Sequence, residues 1–205
     1  FEKAEGIGLK VPKVEKVIGN TMTLEYIEHV PNYIEQNPSR ALGLILEKLN
    51  NMGLVQSYND YTTDDYAANI QKHIAESVGV FPSGLYSALL RVQPLIQEGR
   101  FYHGDFGVGN MLFTPDNELY LIDPIPNKFG SMDIDAAKFL ASLLLFRDVT
   151  VEHRDYIFFK RMLKTFLGCT GSDLLEVLIA CEIVRVYKYS NEKDKVERIF
   201  NSVFK

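Results

Sequence analysis

What the chain has little of narrows its function before any motif is considered. Its 205 residues include only two cysteines, Cys169 and Cys181, well separated and each in apolar company. Two are too few for a disulfide framework or a cysteine-based zinc site, so both read as reduced core residues. Basic charge is not in excess either: the formal net charge is -5, and the lysines and arginines form no cluster. The electrostatic footprint of a nucleic-acid-binding surface is therefore missing, and no nucleic-acid partner is expected. No stretch approaches the about 18 uninterrupted apolar residues of a membrane span, and no signal-peptide pattern opens the chain. The expectation is a cytoplasmic globular protein with no membrane association and no stated oligomeric preference. A hydrophobic content of 46% is enough to bury one or two packed lobes.

What is present is concentrated between Phe101 and Pro124. His103, Asp105 and Asn110 form an H-x-D-x-x-x-x-N string, and Asp123 follows thirteen residues after the asparagine, at the end of the apolar run Tyr120-Leu121-Ile122. Met111-Leu112-Phe113 and Leu119 to Ile122 read as two short strands around Pro115-Asp116-Asn117, which supplies turn chemistry. A loop followed by such a hairpin returns Asp123 to the side of Asp105 and Asn110. Phosphoryl transfer needs an oriented acceptor hydroxyl, metal held on the phosphates and neutralised developing charge. Asp105 fits the first need as base and orienter. Asn110 and Asp123 offer the hard oxygen ligands that Mg2+ prefers, leaving its other positions to water and phosphate. Gly104, Gly107 and Gly109 keep side chains out of the phosphate path.

The string HGDFGVGN followed by LIDP resembles the catalytic and metal segments of the aminoglycoside phosphotransferase and choline kinase family, which shares the protein-kinase fold. The resemblance implies an ATP-dependent (or GTP-dependent) kinase acting on a hydroxyl of a small acceptor such as a sugar, an amino alcohol or an aminoglycoside-like compound. By it, Asp105 is the catalytic aspartate, His103 the loop-anchoring histidine, and Asn110 and Asp123 the metal ligands. In the later GSMDIDAAKF, Asp135 or alternatively Asp133 would brace the catalytic loop, with helix capping as the plainer role. Protein kinases usually carry a lysine two residues after the catalytic aspartate. Here that position is Gly107, which with the missing A-P-E segment favours a small acceptor over a protein.

The same resemblance orders the rest. Val11 to Ile18 and Thr21 to Ile27 read as strands and resemble the last two of a kinase amino-terminal lobe. Glu28 to Pro31 then match the interlobe linker, so the backbone of Glu25 and Ile27 would face adenine and Leu24 would guard the pocket behind. A phosphate-binding glycine loop and its partner lysine are not found. Gly6-Ile7-Gly8 lies only sixteen residues before Glu25, and Glu2 or Glu5 could be the helix glutamate of that missing pair. The chain, beginning at Phe1, therefore reads as the carboxy-terminal part of a larger kinase, with residues 1–30 ending one lobe and 31–205 forming a helical one. The expected fold class is α+β with a partial amino-terminal sheet. A catalytically silent nucleotide- or partner-binding domain is the alternative.

Beyond the linker, periodicity predicts helices from Pro38, from Thr62 or Thr63, from Ser83, over Ala136 to Phe146, and over 152–167, 173–189 and 191–204. Val78 belongs to the second apolar stripe, and Gly99 ends the third helix. His73 reads as a solvated helix residue. Lys138, the exception in an otherwise apolar helix, is expected to reach solvent along its alkyl stem, with a phosphate or substrate contact as the alternative. Asp148, Glu152, Asp155 and Glu182 are expected to be solvated surface acids, each a cation-binding candidate only by the resemblance.

Overall fold

The computed structural model describes residues 9–54, 62–77, 79–97, 102–125, 131–147 and 149–204. Glu2, Glu5, Gly6-Ile7-Gly8, Val78, Gly99, Phe101 and Asp148 lie outside them. Within them the chain opens on an antiparallel hairpin, β1 (Val14–Ile18) and β2 (Thr21–Leu24), turned at Gly19-Asn20. Both strands are shorter than the sequence suggests, for identifiable reasons. Pro12 has no N–H to pair, and just before it Lys10 bridges Tyr120 of the catalytic hairpin, so the chain changes sheets at the proline. At the other end the Glu25 N–H still donates to the Lys13 carbonyl at 2.8 Å, but Val30 has crossed to the Phe113 carbonyl at 2.7 Å.

The rest is helical: α1 (Tyr33–Gln36), α2 (Pro38–Gly53), α3 (Thr63–Glu76) and α4 (Gly84–Val92) precede the catalytic loop. α5 (Met132–Phe146), α6 (Arg154–Phe166), α7 (Leu174–Tyr187) and α8 (Lys193–Val203) follow it. Local chemistry sets several starts. Pro38 sits in the first turn of α2, where its missing N–H costs nothing. Thr62 and Asp65 cap α3 reciprocally, each side chain accepting from the other's backbone N–H.

α5 and α7 form the centre, each apolar on nearly every face and buried accordingly. Around them α3, α4, α6 and α8 present single stripes, with Ile70, Leu89, Phe159 and Phe200 among the buried side chains. Cys169 and Cys181 are free and buried. Between the loop and α5 stand β3 (Met111–Phe113) and β4 (Leu119–Leu121), an antiparallel pair with Leu112 opposite Tyr120. Tyr33 of α1 stacks on Phe113 at 4.8 Å and donates its hydroxyl to Asn117 at 2.6 Å, so the linker is pinned to the catalytic hairpin. Among the described residues no helix is long and apolar enough to cross a membrane.

Candidate active site

The loop from Tyr102 to Asn110 is built from the core outwards. Phe106 is fully buried and meets the His103 ring edge-on at 5.9 Å, which sinks the loop's apolar side into the helical lobe. The first turn of α5 fastens its backbone: the Asp135 carboxylate accepts from the His103 N–H at 2.7 Å and the Gly104 N–H at 3.1 Å. Two helical turns further on, Ser142 Oγ accepts from the Val108 N–H at 3.0 Å while donating to the Phe139 carbonyl. Asp133 does different work. It accepts from the Gln97 N–H and from the hydroxyl of Ser131, the residue that caps α5.

Gly104 is required where it stands. Its φ is +81°, and a Cβ there would lie 2.6 Å from the Ile125 carbonyl oxygen. That close approach lets the Ile125 N–H reach the His103 carbonyl at 2.7 Å, folding the segment after β4 back onto the loop. Asp123 lies in this returning segment, exposed and in the left-handed region at φ 51°. Its neighbour Ile122 donates to the Asn110 carbonyl at 3.1 Å, so the hairpin brings the backbone before Asp123 to that of Asn110.

Asp105 is the half-exposed centre of the arrangement. Asn110 Nδ2 donates to its carbonyl at 2.8 Å and to its Oδ2 at 2.9 Å, while Lys138 Nζ lies 3.1 Å from Oδ1. Burial alone would raise the Asp105 pKa, but the Lys138 ammonium and the hydrogen bonds from Lys138 and Asn110 prevail and hold it below the ordinary value. A carboxylate kept ionised in this way is poised to orient a hydroxyl and take its proton. His103, only 2% exposed, stays neutral because burial lowers its pKa; its Nδ1 accepts from the Asp105 N–H at 3.3 Å. It shapes the loop and does not face solvent.

Lys138 does not reach solvent along its stem, as its sequence context suggested. Its side chain is 16% exposed and spans Asp105 and, at 4.0 Å, Glu182. Gly107 leaves room for it, the lysine Cε lying 4.0 Å from where a Cβ would be. Glu182 is likewise no surface acid: it is 0% exposed and held by both contacts of Arg185 at 2.8 Å and by the Tyr66 hydroxyl at 2.9 Å. His73 is mostly enclosed, its Nδ1 buried without a hydrogen bond. Glu152 is exposed and Asp155 partly so. A sequence signal for Lys138 existed, since it stands three residues after Asp135 and so shares its helix face.

Of the nucleotide candidates, Ile27 is buried and Leu24 and Glu25 are partly so, all at the start of the linker. The Glu25 N–H is used by Lys13, and its carboxylate accepts from the Lys13 N–H at 3.2 Å.

No family model and no curated protein sequence matches the chain. Solved structures do. A glucosamine kinase superposes on 98% of this chain with a TM-score of 0.54 and 16% identity, and the match covers 66% of that enzyme. The choline kinase of Streptococcus pneumoniae matches 98% of this chain and 77% of its own length, with a TM-score of 0.60 and 14% identity. The ethanolamine kinase of Plasmodium vivax matches 97% and 69%, with a TM-score of 0.60 and 12% identity. The chain thus spans about two thirds to three quarters of the length of these proteins. The glucosamine kinase has also been seen with glucosamine, ADP and inorganic phosphate, and the choline kinase with AMP. At these identities the likeness is one of fold: the chain has the protein-kinase-like fold of small-molecule phosphotransferases, with a partial amino-terminal sheet and a helical lobe.

Proposed function

We propose that the chain transfers the terminal phosphoryl group of ATP or GTP to a hydroxyl of a small molecule, with residues 1–30 ending a nucleotide-binding lobe and 31–205 forming the catalytic one. The observation that carries this reading is the fixing of Asp105 by Asn110 and Lys138 on a loop whose backbone α5 holds at two places. In the reaction Asp105 accepts the hydroxyl proton as the acceptor oxygen attacks the terminal phosphorus. The bond to the diphosphate breaks, and a phosphate monoester and a nucleoside diphosphate leave. The Glu25 carbonyl and the Ile27 backbone meet the base, with Leu24 behind it.

The residues present fit a magnesium ion. Asn110 turns its amide nitrogen to Asp105, which directs its oxygen elsewhere, and Asp123 is exposed one residue after Ile122, whose N–H meets the Asn110 carbonyl. No group of three or more metal-binding side chains occurs among the described residues, and a cation carried on phosphates needs only one or two protein carboxylates. Asn110 and Asp123 would hold such an ion, whose charge would offset that developing on the phosphates. Asp105→Asn should lower turnover by about two to four orders of magnitude with nucleotide affinity retained. Unchanged turnover on an acceptor removes Asp105 from the mechanism. Nucleotide binding without turnover on any acceptor favours the silent domain instead.

A further inference from the structure

Resting on that phosphotransferase reading, the cleft beside Asp105 narrows the acceptor. A cavity of about 360 Å³ opens between α3, α5 and α7, lined by Lys72, His73, Glu76, Lys138, Arg185 and Lys188 among others. Its size suits a metabolite. Lys138 connects it to the chemistry, because the side chain that lines the cleft also carries the ammonium paired with the Asp105 carboxylate at 3.1 Å. The cavities around Val151 and Arg198 and around Arg147 and Tyr156 are not lined by Lys138.

Charge decides what this cleft can hold. Four cations line it against one carboxylate, Glu76. Glu76 in it, and Glu182 and Asp105 beside it, each already have a cationic partner. Glu76 is shared by Lys188 at 3.2 Å and Lys72 at 4.0 Å, Glu182 is held by Arg185, and Asp105 by Lys138. Counting Asp105 and Glu182 as well, four positive charges face three negative. Lys72 and Lys188 remain at the rim, their side chains 70% and 50% exposed, with ammonium protons to offer. His73 adds no charge at neutral pH, since burial and then the Arg185 charge lower its pKa. An ammonium-bearing acceptor would find no unpaired carboxylate among the residues that line the cleft and would meet four like charges.

We propose that the acceptor is a hydroxylated small molecule bearing an anionic group, a carboxylate or a phosphate ester, which Lys72 and Lys188 hold at the mouth of the cleft while its hydroxyl reaches Asp105. This differs from the amines in the names of the glucosamine, choline and ethanolamine kinases that share the fold.

The test compares acceptors of similar size on the full protein with magnesium and ATP: glycerol, D-glycerate, glycerol 3-phosphate, ethanolamine and choline, read by ADP release and by calorimetric binding. Lower KM for glycerate or glycerol 3-phosphate than for glycerol is expected, and which anion is better separates the carboxylate from the phosphate source. Lys72→Glu and Lys188→Glu should each raise that KM about tenfold with kcat little changed, and Lys72→Arg should restore it. Preference for ethanolamine or choline overturns the proposal, as does a KM for the anions that neither charge reversal alters. Anion binding that the reversals abolish, with no turnover on any acceptor, upholds the cleft's selectivity and overturns the phosphotransferase reading alone.

Discussion

Asp135→Ala isolates the contact on which the loop geometry most depends. Two buried backbone N–H groups, those of His103 and Gly104, end on the Asp135 carboxyl at 2.7 and 3.1 Å. Removing the acceptor leaves both unpaired, at about 1–3 kcal/mol each, or about 2–6 kcal/mol together. A typical domain has only about 5–15 kcal/mol of net stability. With a urea slope of about 3 kcal/mol/M, the unfolding midpoint falls by about 1 M or more. The assay is a urea titration followed by circular dichroism, run beside ADP release; both should fall, because the loosened amide lies two residues before Asp105. An unchanged midpoint refutes the argument. Acidity gives a second reading of the same group. Burial pushes the Asp135 pKa up to about 8, against the two amide bonds and with help from the Glu182 and Asp105 charges. Its folded pKa therefore lies above its unfolded value, and folding takes up a proton between the two. This contribution is full below about pH 4 and is lost as pH rises towards 8. Asp135→Asn removes that titration and changes the slope of stability against pH by up to about 1.4 kcal/mol per unit. An unchanged slope shows that the carboxyl is ionised throughout.

Two further outcomes follow from the buried charges. Lys138→Met leaves burial to act on Asp105 unopposed by the ammonium, so the acid limb of the kcat/KM profile moves to higher pH and turnover falls up to about 100-fold; Lys138→Arg keeps the limb in place. A limb that stays put in the methionine variant separates Lys138 from the base. Arg185→Met strands Glu182 in the interior and costs about 3–5 kcal/mol, while Arg185→Met with Glu182→Leu restores much of the loss. Equal melting temperatures for the single and double variants refute that pairing.

The elements that could be read from the chain were those specified locally. Thr62 and Asp65 cap α3 across one turn, Pro38 opens α2, and the Pro115-Asp116-Asn117 turn joins β3 to β4. Each depends on residues a few positions apart, which is the range over which sequence and backbone are directly linked. The extents of β1 and β2 were less legible, because Lys10 and Val30 leave the first hairpin for partners in the second. Side-chain destinations were least legible of all. Lys138, Glu182 and His73 look like solvated helix residues one at a time, and only the packing of α3, α5 and α7 against one another encloses them. Their partners lie on other elements, so no helical period could point to them. The acids near Lys138 illustrate the limit: Asp135 shares its helix face, whereas Asp105 and Glu182 reach it only through the fold.

The three attachments of the loop to α5, at Asp135, Lys138 and Ser142, fall on successive turns of a single buried helix. The loop is therefore carried as cargo on one of the two central rods of the helical lobe. Adjustment to different acceptors must come from the walls of the cleft, where α3 and α7 present long, flexible cations. Evolution could re-tailor those walls while leaving the reacting aspartate on an unchanged mount.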